Sequence, residues 1–123
     1  MNIITNAIRA SKYDYYIKHL EILNVILPES KFPNKLSHKE IEVLAAFMSQ
    51  DKNLIEEDMF NGVVRKKVMD KLKMKPGGLG NHLKSLIEKK FLSKNEITKK
   101  ITAQKFLTPA DNNQGYRLKL IKV

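Results

Sequence analysis

The 123-residue chain contains no cysteine. That removes disulfides, thiolate zinc sites and cysteine nucleophiles together, and it suits a reducing cytoplasm. No apolar run reaches the ~18 residues that a membrane span needs, so no membrane partner is expected. No charged start leads into a long apolar stretch and a small-residue cleavage site, so no secretory signal is expected. Arginine is scarce: of 23 basic residues only Arg9, Arg65 and Arg117 are not lysine. Arginine is the usual bidentate reader of guanine, whereas lysine is a point charge suited to phosphates. Internal repeats and low-complexity tracts are also missing.

What the chain has is positive charge, unevenly spread. The formal net charge is +10. Residues 1–30 are neutral, 31–60 carry −2, 61–94 carry +8 and 95–123 carry +4. An excess confined to the second half suits a polyanion, of which nucleic acid is the commonest. At this length one domain with a modest core is expected.

Signs of catalysis are weak. His19, His38 and His82 have no metal-ligand spacing with one another, and no metal or other cofactor is expected. Serine and aspartate show no nucleophile elbow. The run "PGGLG" lacks the G-x-x-x-x-G-K-[ST] pattern and follows no strand, so it reads as a helix start. Glu56-Glu57-Asp58 reads as a solvated helix N-terminus rather than a metal site. The chain is expected not to be an enzyme.

The first periodic segment predicts a helix over 12–27. Tyr13, Tyr16, Ile17, Leu20, Leu23 and Leu27 follow one helical face, and Pro28 stops it. Tyr15, Ile22 and Ile26 form a second apolar set on the opposite face. A surface helix needs only one such face, so residues 1–30 are expected to offer an oligomer or partner interface through these three. "KFPNKL" reads as a linker. Ser37 then opens a helix with Glu40 three residues on, a capping box. Ile41, Leu44, Ala45 and Met48 make its core face, and Val43 and Phe47 a second one.

Asp51-Lys52-Asn53 reads as a break, "LIEEDMF" as a short helical turn and Asn61-Gly62 as a turn. "VVRKKVMDKLKM" is the next helix, buried through Val64, Val68, Met69 and Leu72. Pro76 disfavours helical geometry at Lys75 and can stand in the first turn of the helix that follows. There Leu79, Leu83, Leu86 and Ile87 mark the buried stripe, while Gly77, Asn81, Lys84, Ser85 and Glu88 face away. "FLSKNE" starts a strand, and "YRLKLIKV" alternates as a second strand. "ADNNQG" is a loop tip. "ITKKITAQKFLTP" is helix or strand, within an unusually long hairpin or an insertion in one.

The stretches "VMDKLKM" and "KPGGLGNHLKSLIEKKFL" carry a resemblance. Leu72 and Met74 close a support helix, and Leu79, Leu83, Leu86, Phe91 and Leu92 fill the apolar positions of a recognition helix and strand start. Residues 37–123 thus resemble the winged helix-turn-helix superfamily, in the manner of small bacterial and phage regulators of the MarR and GntR kind. The expected fold is mainly α with a small β-hairpin wing, preceded by an extra N-terminal helix. Three departures stand out. Lys73 and Lys90 occupy positions where the family favours glycine. Gly77, Gly78 and Gly80 stand where the family places base-contacting side chains.

The resemblance implies double-stranded DNA as partner, with the recognition helix entering the major groove by its N-terminal end. Asn81 would read adenine; Lys75 and Lys84 would take phosphates, flanked by Lys66, Lys67 and Lys71. Backbone amides at Gly77 and Gly78 would approach a phosphate closely. Lys99, Lys100, Lys105 and Arg117 would form the wing contact. The expected role is a transcriptional regulator or replication accessory in the cytoplasm, acting as a homodimer or within a larger assembly. The alternative is the same fold used as a protein-interaction or structural module, for instance in a transcription complex or a phage virion.

Overall fold

A computed structural model describes residues 11–107. The strand expected over 116–123, the loop tip at 110–115 and Arg117 lie outside the described residues. The described elements are helices α1 (Lys12–Ile26), α2 (His38–Met48), α3 (Lys52–Ile55), α4 (Gly62–Leu72) and α5 (Pro76–Glu88), then strands β1 (Leu92–Lys94) and β2 (Ile101–Ala103), and a 3-10 turn (Lys105–Leu107). The protein is mainly α with a small antiparallel β-hairpin wing.

α2 is the centre. Its first turn carries the full capping box: Glu40 N–H donates to Ser37 Oγ at 3.1 Å, and Ser37 N–H donates to Glu40 Oε1 at 2.8 Å. Ile41 and every residue from Val43 to Met48 are buried, so both apolar faces are used. α1, α4 and α5 all pack on it. α1 starts at Ser11, whose Oγ accepts from Asp14 N–H, and ends at extended Leu27, as the following Pro28 requires. Leu20 and Leu23 are its buried apolar residues, as the spacing predicts, and His19 is buried beside them.

Asn61-Gly62 is a helix start rather than a free turn. Asn61 Oδ1 accepts from Val64 N–H at 3.0 Å, and its Nδ2 donates to the carbonyls of Leu54 and Asp58 at 2.9 and 2.8 Å. One side chain therefore caps α4 and holds the segment before it. The expected break at 51–53 is shorter than predicted, because α3 already begins at Lys52. α4 ends at Lys73 in the left-handed region (φ 55°), and α5 starts with Pro76 in its first turn. Leu79, Leu83 and Leu86 are buried. After α5, Lys90 is again left-handed (φ 72°), with Phe91 N–H donating back to Leu86 C=O at 3.0 Å.

The described hairpin is short. β1 pairs with β2, Leu92 opposite Ala103 and Lys94 opposite Ile101, so the partner strand lies within the ambiguous stretch. Asn95 closes the tip. Its Oδ1 accepts from Ile97 and Thr98 N–H at 2.8 and 2.9 Å, and its own N–H donates to Lys100 C=O at 2.9 Å. Strands of three residues are too short to show a period of two, which hid this pairing in the sequence.

The chain then returns to its start. Leu107 is fully buried, and its carbonyl accepts from His19 Nε2–H at 2.8 Å. Asn24 makes a second tie, exchanging two hydrogen bonds with the backbone of Leu36 at 2.8 and 3.0 Å. Residues from α1 to Leu107 form one hydrophobic cluster, so the N-terminal helix shares the core of the following segment.

Candidate functional site

The positive charge of 61–94 divides into structural and free cations. Lys89 is structural. Its Nζ lies 2.7 Å from Glu40 Oε1 and 2.9 Å from the carbonyl of Lys35. Glu40 is 3% exposed. Burial pushes its carboxyl pKa up, but bonds from Lys89, the Ser37 backbone and Ser85, together with the Lys89 charge, hold it below its ordinary value. Ser85 Oγ donates to Glu40 Oε2 at 2.6 Å. Ser85 therefore does not face away from the core as expected: α5 rests on α2, and the flank of its apolar stripe meets the buried carboxylate. Arg65 is also engaged, its Nε donating to Phe60 C=O at 2.7 Å. Lys71 sits 4.4 Å from the ring centroid of Tyr13, a cation–π contact that joins α4 to α1.

The remaining predicted cations are exposed. Lys66 and Lys67 lie on α4, Lys75 at the start of α5, and Lys84 two turns along it. None of these four forms an ion pair with a described residue. Asn81 is exposed too, and with Gly77 and Lys84 it follows the spacing of one outward face of α5. In the wing, Lys99 is exposed at a left-handed position (φ 62°). Lys100 is also exposed, yet its Nζ donates to Glu57 C=O at 2.9 Å and ties the hairpin to the segment before α4. Lys105 stands on the 3-10 turn, beyond the hairpin rather than on it.

The glycines of α5 have no structural need to be glycine. None of the described glycines has a positive φ. A methyl group at Gly77 or Gly80 would meet nothing within 4 Å, and at Gly78 only Met74 Cε at 4.0 Å. The first turn of α5 therefore presents bare backbone, and Lys75 supplies no side-chain cap to it.

His82 is half-buried beside the stripe, as a packing residue would be. Nothing in the sequence pattern marks the roles of His19 and Lys89. A histidine on an apolar face reads as packing, and a lysine in a basic run reads as surface. Their partners lie 88 and 49 residues away.

Among the described residues no group of His, Asp and Glu is placed to hold a metal ion, and no helix is long and apolar enough to cross a membrane. What the fold defines is a helical domain with a short wing and a lysine-rich, acid-poor helix–turn–helix surface. No family model, curated protein or solved structure matches the chain.

Proposed function

We propose that this is a winged helix-turn-helix protein that docks its basic second half on double-stranded DNA, as a regulator or replication accessory of the cytoplasm. The observation that carries this reading is the set of unpaired, exposed lysines on α4 and α5, Lys66, Lys67, Lys75 and Lys84, in a segment of net charge +8. Their ammonium groups would neutralise phosphates and release counterions, while Asn81 offers the donor and acceptor that adenine requires. Lys99 adds a cation at the wing tip, and the contact expected of Arg117 belongs to the same reading. With bare glycines at the tip of α5, base reading is sparse and most affinity is electrostatic. Lys100 and Lys71 contribute charge while already engaged with Glu57 and Tyr13.

The test is binding to random-sequence duplex DNA across a salt series. Each phosphate neutralised steepens the log–log salt dependence by about 0.9. Lys84→Glu reverses charge on an exposed face, so it should leave the circular dichroism spectrum unchanged and abolish binding. Full binding by that variant would end the groove-docking reading. A second reading, the fold as a protein-interaction module, is favoured by the side-chain-free tip of α5. It gains if the wild type fails to bind duplex even at low salt.

A further inference from the structure

The outward side of α1 is unlike the basic half. Val25 is 82% exposed and Ile26 38%. With half-buried Ile22 they line an open groove whose other walls are Lys18 and Glu21. Those two charges pair at 3.5 Å across one helical turn. Ile22 and Ile26 were expected at an interface, and Val25 joins them as the most exposed of the three. Tyr15, the third residue of that expected set, is half-buried like Ile22, its ring edge-on to Tyr16 with centroids 5.2 Å apart.

We propose that this face is the contact between two copies of the chain, α1 packed antiparallel on α1 about a two-fold axis near Ile22. A two-fold contact requires a patch that complements itself. One cation, one anion and three aliphatic side chains do so. The two-fold sets Ile22 against Ile22 and lays each Val25 along the apolar stem of the other copy's Lys18. Each Lys18 ammonium is then within reach of two Glu21 carboxylates. A polyanion has no use for the face, because Glu21 sits in it and residues 1–30 are neutral. A bilayer surface prefers an apolar face rimmed by lysine and arginine. A strongly charged protein would find no excess charge to match. Pairing through a neutral segment also avoids joining the molecules by the α4–α5 region that carries most of their positive charge. One helix pair covers less than the roughly 800 Å² per partner of a standard interface, so the dimer is weak and concentration-dependent.

Sedimentation equilibrium of the full chain without DNA, from the low micromolar to the sub-millimolar range, tests this. The wild-type average mass should climb towards twice the monomer value. Val25→Lys should raise the dissociation constant about tenfold or more, since it sets a second ammonium against the other copy's Lys18. Lys18→Glu should weaken association, and Lys18→Glu combined with Glu21→Lys should restore it. All these positions are at least partly solvent-accessible, so each variant should keep the wild-type circular dichroism spectrum. A wild type that stays monomeric throughout, a Val25→Lys variant that associates normally, or a charge swap that fails to restore association would each overturn the proposal.

Discussion

Glu40 concentrates four roles in one side chain: half of the capping box, the partner of Lys89, the acceptor for Ser85 and a buried charge in the core. Replacing its carboxylate by an amide leaves the Lys89 ammonium partly buried with neutral acceptors only, the glutamine oxygen and the Lys35 carbonyl. Glu40→Gln should therefore cost about 2–4 kcal/mol in urea denaturation at neutral pH, somewhat below the ~3–5 kcal/mol of a fully buried pair because Lys89 is partly solvated. The pH dependence has a definite sign. The folded pKa lies below the ordinary 4.5, so the ionised form contributes stability that is present in full above that value. That contribution is lost as pH falls from 4.5 through the lower folded pKa, and the slope of stability against pH there should be shallower in Glu40→Gln than in wild type. Lys73 carries the opposite kind of message. A side chain in the left-handed region costs about 1 kcal/mol, partly offset by its charge at the C-terminal end of α4. Lys73→Gly should raise the urea midpoint by the equivalent of about 0.5–1 kcal/mol. An unchanged or lower midpoint would mean that the lysine charge outweighs the strain.

At the scale of the element, the helices and the first strand of the wing were legible, and the strand that pairs with it was not. α1, α2 and α5 each combine a periodic apolar face with a stop or start signal: Pro28, the Ser37–Glu40 box and Pro76. Such signals are local, so sequence alone reaches them. The β1–β2 pairing depends on Asn95 folding its side chain over the tip, which no alternation announces. Among the expected nucleic-acid contacts, exposure of Lys66, Lys67, Lys75, Asn81 and Lys84 followed from helix phase. The capture of Lys89 by Glu40 did not, because phase says which way a residue points and not what waits there. α5 also shows an element weakened without a packing reason. Glycine in an exposed helical turn is less favourable than alanine by up to about 1 kcal/mol. Gly77→Ala together with Gly80→Ala should therefore raise the thermal midpoint, since neither methyl meets a neighbour. If instead the midpoint falls, those positions carry a backbone demand that the open space around them does not show.

At the scale of the whole molecule, the sequence suggests two units, 1–30 and 37–123, joined by a linker. Contacts join the described parts of both units. Leu20 and Leu23 enter the common core, Asn24 pairs with the backbone of Leu36, and His19 reaches the carbonyl of Leu107 across 88 residues. Tyr13 adds its ring under Lys71. Breaking α1 away would expose Leu20, Leu23 and the buried face of α2 together, so α1 should not melt on its own. The tyrosines make this measurable. Tyr13, Tyr15 and Tyr16 all stand on α1, with only Tyr116 elsewhere, and there is no tryptophan to mask them. Near-ultraviolet circular dichroism thus reports chiefly on α1, while the far-ultraviolet signal reports on all the helices. The two signals should follow one transition on heating, as a single cooperative unit requires. An earlier tyrosine transition would show that α1 is a separable arm. His19→Ala should lower both curves together, through the unsatisfied Leu107 carbonyl and the vacated ring volume, by the equivalent of about 2–4 kcal/mol. A variant in which only the tyrosine signal shifts would place the tie at the edge of the fold rather than in its core.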